Sequence, residues 1–251
     1  MDGKIVVTGM VLSSQAIGET DKRVTILTTE NGKISAFAKG AKKPTSALLA
    51  ATNPFVFGEF ELYVGRSSMT ITKADITNYF DEIRSDIELV YYGSYFLELA
   101  DFFTRENNDD KEVLKLLYQS VKALCKGSIS PAIIKTVYEF KMMVINGEYP
   151  GVFECSICGS KENICGFSFM NNGVVCDECA GSVRDYDVID TSTVYALQYI
   201  VSSSIEKLYT FTLSEDVKRQ LERIVTRYLK ATVDVRLCSE EFLKDIVEKH
   251  D

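Results

Sequence analysis

The sequence predicts an α+β protein in two parts, a small five-stranded β-barrel followed by an all-α domain that carries a four-cysteine element. Three observations predict it. Residues 4–79 alternate in hydrophobicity with a period of two and are cut by turn residues. From Ser85 the period lengthens to that of a helix and holds, with one interruption, toward the C-terminus. That interruption contains two C-x-x-C pairs, Cys155-Ser-Ile-Cys158 and Cys176-Asp-Glu-Cys179, with seventeen residues between them.

The strands come first. Ile5–Leu12 is rich in β-branched residues and leads into a polar loop, Ser13 to Lys22. Arg23–Thr29 alternates polar and apolar residues. Asn31-Gly32 follows, and because both residue types tolerate positive φ the pair predicts a type I′ hairpin with Lys33–Lys39 as its return strand. After a longer connection come Phe55–Val64, a turn at Gly65-Arg66-Ser67-Ser68, and Met69–Ile76. Five short strands with one long connection between the third and fourth suit a closed barrel of the OB type.

The helices follow. Ser85-Asp-Ile-Glu88 has the form of a capping box and precedes an apolar stripe through Leu89, Tyr92, Phe96, Leu99 and Phe103. Asn107-Asn108-Asp109-Asp110 breaks it. A second helix is predicted over about 111–126, stopped by Gly127, and a third opens at Ser130-Pro131 and ends near Asn146-Gly147. Helices resume at about 192–204, 215–230 and 240–249. The domains predicted are therefore 1–80, a barrel of the OB type, and 81–251, helical with a metal-binding insertion at about 150–185.

The spacing of Cys155, Cys158, Cys176 and Cys179 fits a structural zinc site, one Zn2+ per chain. Two residues between cysteines let both sulfurs face one ion, and two such knuckles supply the corners of a tetrahedron. Gly159 and Ala180-Gly181 offer small residues where the backbone turns over the sulfurs. Disulfides are the competing reading. The N-terminus lacks the apolar core of a signal peptide and no run is long enough to span a membrane, so a reducing, cytoplasmic setting and metal are favoured. Cys165, between the pairs, is a weaker rival ligand, and Cys125 and Cys238 read as small buried residues.

A four-thiolate site has no open position for substrate. The one histidine, His250, is next to last, and no G-x-S-x-G, P-loop or G-x-G-x-x-G occurs. The expectation is a non-enzyme with no catalytic residues. Net charge is −8, but residues 1–80 hold nine basic against seven acidic side chains and the remainder nineteen against twenty-nine. A mildly basic N-terminal part on an acidic body suggests two functional faces.

Ile17-Gly18-Glu19-Thr20-Asp21-Lys22-Arg23-Val24, Asn31-Gly32-Lys33 and Ala38-Lys39-Gly40-Ala41-Lys42-Lys43 carry a resemblance. With Asn53-Pro54-Phe55, Glu59-Phe60-Glu61-Leu62, the cysteine pairs and Phe242-Leu243, they make nearly the whole chain resemble the RecO family of bacterial recombination mediators. The resemblance implies an N-terminal OB-fold, a helical domain and a zinc element. It implies binding to single- and double-stranded DNA and annealing of complementary strands. The partners it implies are RecR and single-stranded DNA-binding protein, with RecA served indirectly at gaps, in the cytoplasm near the nucleoid.

Lys33, Lys39, Lys42 and Lys43 lie within eleven residues that contain no acid, and the last three fall in a glycine-bearing loop where ammonium groups reach phosphates. Arg66 and Lys73 on the later hairpin extend the candidate path. Phe37 and Tyr63 are candidate stacking faces, although strand aromatics more often fill a barrel. For the acidic tail of single-stranded DNA-binding protein, the third helix with Lys135, Phe140, Lys141 and Met142-Met143 is a candidate. Two rival functions remain open, a protein-binding adaptor and a sequence-specific nucleic-acid-binding factor. Binding that depends on salt but not on base sequence separates the favoured reading from both.

Overall fold

The computed structural model describes residues 3–233 and 237–239. The chain parts into two compact units, one from 1–128 with 236–251 and the other from 129–235. The helix expected at about 240–249, Phe242-Leu243 and His250 lie outside the described residues. Among those described, no helix is long and apolar enough to cross a membrane.

The first unit contains β1 (Gly3–Ile17), β2 (Asp21–Thr28), β3 (Gly32–Ala38), a short α1 (Leu48–Ala51), β4 (Phe57–Val64) and β5 (Met69–Asn78). Then come α2 (Asp81–Ser85), α3 (Ile87–Phe103) and α4 (Lys111–Lys126). β1 pairs antiparallel with both β2 and β4, β2 with β3, and β4 with β5. β3 and β5 meet in a short parallel ladder at Ala36/Met69 and Phe37/Thr70, so the order β1-β2-β3-β5-β4 returns to its first strand. The period of two has its physical meaning here. Val24, Ile26, Ile34, Ala36, Phe60 and Leu62 face inward and are buried, while Lys33, Ser35 and Phe37 face outward. Each large apolar side chain so buried contributes about 1.5–3 kcal/mol.

Three local expectations need correction. The stretch Ser13–Lys22 is not a loop: β1 continues to Ile17 and pairs with β2 down to Ile17/Asp21. Its residues are mostly exposed, so no burial pattern marks it as strand. The Asn31-Gly32 turn is not type I′, because Gly32 alone of the two has positive φ, at 62°. Thr28 pairs directly with Gly32, leaving a three-residue loop, and the Thr28 hydroxyl donates to the Gly32 carbonyl at 2.8 Å. Last, the cap of α3 is Asp86, whose carboxylate accepts the Glu88 N–H at 2.9 Å, while Ser85 ends α2.

Gly32 is constrained both by its left-handed backbone and by a close neighbour. The segment 105–108 runs against it: the Lys33 N–H donates to the Arg105 carbonyl and the Asn107 N–H to the Asn31 carbonyl, both at 3.1 Å. A Cβ at Gly32 would lie 2.7 Å from the backbone oxygens of both Arg105 and Asn108. The left-handed conformation alone costs an L-residue about 1–2 kcal/mol, and here backbone must also move. Gly32→Ala is expected to lower unfolding free energy by more than about 2 kcal/mol in urea titration. An unchanged midpoint would contradict this.

α4 covers this unit through Tyr118, whose ring lies 4.6 Å from Phe57 and 5.4 Å from Phe80. Glu98 of α3 accepts from the backbone N–H groups of Cys238 and Ser239 at 2.8 and 2.9 Å. Cys238 is exposed, not buried as expected, and Cys125 is half-buried with its thiol pushed up to about 11 by burial.

The second unit contains α5 (Pro131–Ile145), β6 (Ile164–Ser168), β7 (Gly173–Cys176), α6 (Asp177–Ala180), β8 (Tyr186–Val188), α7 (Thr191–Ser202) and α8 (Glu215–Thr232). α8 is capped by the Ser214 hydroxyl, which accepts the Val217 N–H. The three strands form a small sheet in the order β7-β6-β8. The third predicted helix, α5, is core: Phe140, Met142 and Met143 have no exposed surface. Lys141 is buried, and its ammonium donates to the carbonyls of Ile200, Val201 and Ser203 at 3.0, 3.1 and 2.8 Å. Those carbonyls end α7, where helical partners run out and positive charge is favoured. Lys135 pairs with Glu139 at 2.7 Å. The expected docking of an acidic tail is therefore corrected for Phe140, Lys141, Met142 and Met143, which are buried, while Lys135 pairs within its own helix.

Candidate nucleic-acid interface and metal centre

The loop after β3 is built by the tip of the β1–β2 hairpin. Ala41 is fully buried, and it anchors a turn in which the Ala41 N–H reaches the Ala38 carbonyl and the Lys43 N–H the Gly40 carbonyl. Asp21 accepts the Gly40 N–H at 2.8 Å and the Thr20 hydroxyl at 2.9 Å. Lys42 donates its N–H to the Thr20 carbonyl at 2.8 Å and its ammonium to the Gly18 carbonyl at 3.2 Å. Lys39, Lys42 and Lys43 are exposed. Hydrogen bonds from Gly40 and Thr20 hold the Asp21 carboxyl below its usual range, with Lys39 and Lys43 adding attraction.

The other predicted cations fall in two places. Lys33 and Arg66 line one cleft with Ser35, Ser68 and Glu106. The Lys33 ammonium is already held by Asp101, at 2.6 Å from its carbonyl and 3.0 Å from its carboxylate. Lys73 stands across from Glu61 on the β4–β5 ladder. The Glu61 carboxyl is held low first by hydrogen bonds from Lys4 and Thr72, with Lys73 a lesser influence. Phe37 is half-buried and Tyr63 is 42% exposed, so neither aromatic fills the interior of the strand ring. Lys22, although charged, is structural: its ammonium donates to the Leu49 carbonyl, the Thr52 hydroxyl and the Asn53 side-chain oxygen.

Sequence reasoning missed Arg23. It stands on the outer side of β2, donates Nε–H to the Ser35 hydroxyl at 2.9 Å, and shares a second cleft with Gln15, Thr25 and Lys33. Its parity was the available signal, since Arg23 lies opposite outward-facing Phe37.

The four cysteines of the two pairs converge in the second unit, their sulfurs all within 4.8 Å of one another. Cys158 and Cys176 are 3.6 Å apart. Sulfurs around a tetrahedral ion with bonds of about 2.3 Å stand about 3.8 Å apart, so the donor set fits a thiophilic ion such as zinc. The first knuckle closes because Gly159 sits at φ 75° and donates to the Cys155 carbonyl at 2.9 Å. At the second, Cys176 ends β7 and Cys179 lies one turn into α6. Gly181 has φ −67°, so the expected need for a small residue there is not met by its conformation. Cys165 on β6 is not part of the cluster.

Burial opposes ionisation of Cys155, but the backbone N–H groups of Cys158, Cys176 and Ile157 outweigh it and bring the thiol to about 6. Cys179 is pushed up to about 12, first by its hydrogen bond with Cys158. A coordinated ion deprotonates such thiols outright.

Comparisons with known proteins agree with this architecture. A family model described as Recombination protein O N terminal matches residues 1–80, and Recombination protein O C terminal matches 84–241. A DNA repair protein RecO from Acetivibrio thermocellus is 32% identical over 95% of this chain and 96% of its own. The RecO of Bacillus subtilis is 31% identical over 94% and 92%. That of Alkaliphilus metalliredigens is 30% identical over 95% and 98%. The chain belongs to the RecO family of DNA repair proteins.

Proposed function

We propose that this protein is a recombination mediator whose first unit binds single- and double-stranded DNA, anneals complementary strands coated by single-stranded DNA-binding protein, and acts with RecR in loading RecA at gaps. The observation that carries the reading is the exposed Lys39-Lys42-Lys43 loop held by the hairpin tip. The strand order, with its parallel β3/β5 contact, supports an OB-fold barrel, whose outer β2–β3 face and loops track nucleic acid. Lys39, Lys42, Lys43 and Arg66 contact phosphates, Lys73 extends the path, and Lys33 contributes less because Asp101 already holds it.

Such contacts carry no base sequence and are reversible. An annealing protein needs both properties, since it must bring two polyanions together and then release the duplex. The protein is not an enzyme and works in the cytoplasm. Cys155, Cys158, Cys176 and Cys179 hold one Zn2+, which ties β7, α6 and the first knuckle together and leaves no ligand position for chemistry.

The test is annealing of two complementary strands coated with single-stranded DNA-binding protein, with and without this protein. Acceleration that fades as salt rises is expected. No acceleration by folded, metal-loaded protein would refute the reading and favour a protein-binding adaptor.

A further inference from the structure

We infer that Asp21 is a positioning residue for the nucleic-acid site: its carboxylate fixes the loop from Lys39 to Lys43 in the shape that presents three ammonium groups to phosphates. The inference rests on the reading of that loop as the DNA contact. By charge alone Asp21 is out of place. A carboxylate among lysines repels phosphate and cancels part of the attraction they provide.

Geometry supplies the reason for its presence. One oxygen, Oδ1, accepts both the Gly40 N–H at 2.8 Å and the Thr20 hydroxyl at 2.9 Å. The next residue, Ala41, is pinned in the interior, and Lys42 hangs from the carbonyls of Thr20 and Gly18. Asp21 thus joins the hairpin tip to the loop at the point where the chain leaves β3, between Lys39 and Ala41. A charge-assisted bond of this kind is roughly twice as strong as a neutral one. Without it, Lys39 and Gly40 are untied from the tip, and phosphate binding must order the loop at a cost in affinity.

Charge and position predict opposite signs, which makes the inference testable on the full chain. Asp21→Asn keeps an acceptor oxygen in place and removes the charge. Asp21→Ala removes both. Asp21→Glu keeps the charge and displaces the oxygens by one methylene. Binding of a fluorescent oligo(dT) is measured across a salt series, with melting temperature as the control for folding.

Asp21→Asn is expected to bind at least as tightly as the native protein. Asp21→Ala and Asp21→Glu are expected to bind about five- to tenfold more weakly, with a salt slope shallower by about 0.7 for each phosphate that is no longer neutralised. Asp21→Ala or folded Asp21→Glu binding as tightly as Asp21→Asn would overturn the inference. The underlying reading is checked beside it with Lys39, Lys42 and Lys43 all changed to Glu. If that variant keeps native affinity, the loop does not touch DNA and both ideas fall. If it binds weakly while Asp21→Ala binds normally, only the positioning role is wrong.

Discussion

Changing Lys39, Lys42 and Lys43 together to glutamate is expected to weaken binding of single-stranded DNA by about a hundredfold or more near 0.1 M salt. Three cations that release counterions become three anions that repel the strand. All three side chains are exposed, and although the Lys42 ammonium bond to the Gly18 carbonyl is lost, the loop's anchors at Ala41, Gly40 and the Lys42 N–H are kept. The variant should therefore melt close to the native temperature, and a titration of oligo(dT) measures the site rather than the fold. Native affinity in the folded variant would remove the loop from the interface and shift the search to Arg23 on β2, Lys73 on β5 and Arg66 in the turn between β4 and β5.

Cys155→Ser is expected to abolish stoichiometric metal binding and to unfold the cysteine element of the second unit. Structural zinc sites in small domains contribute apparent free energies of about 10–16 kcal/mol at neutral pH, comparable with the whole stability of an ordinary domain, about 5–15 kcal/mol. Around the sulfurs themselves the buried apolar cluster is Cys155, Val175 and Cys176, with Ile164, Cys179 and Val183 against them. Metal analysis and melting of native and mutant protein test this. DNA binding assigned to the first unit should decline only as the protein unfolds. Loss of DNA binding by a mutant that melts like the native protein would instead place the metal element at the interface.

Much of the fold was legible in the sequence wherever a local pattern carries the physics. The two C-x-x-C pairs predicted their cluster because two intervening residues constrain sulfur geometry directly. β2, β3 and β4 were legible because one face of each is buried and the hydrophobic residues alternate. The outer half of β1 was not, because Ser13–Ile17 lies largely in water and has no apolar period to display. Nothing local marks the parallel meeting of β3 with β5, which rests on two residue pairs. Lys141 was misread for a related reason. A lysine on an amphipathic helix is usually solvated, and only the arrival of α7 supplies three carbonyls for it. Glu98 shows the same limit, since its partners Cys238 and Ser239 lie about 140 residues away in sequence. The loop lysines stand out by composition, but Asp21, which accepts the Gly40 N–H, and Arg23 do not. Their roles depend on which strand lies beside them.

The most direct test of the central claim is the salt dependence of oligo(dT) binding by the native protein. Contacts to three to five phosphates predict a slope of log affinity against log salt of about −2 to −3.5, independent of base sequence. A slope near zero, or one that changes with sequence, would contradict a phosphate-tracking interface on the first unit.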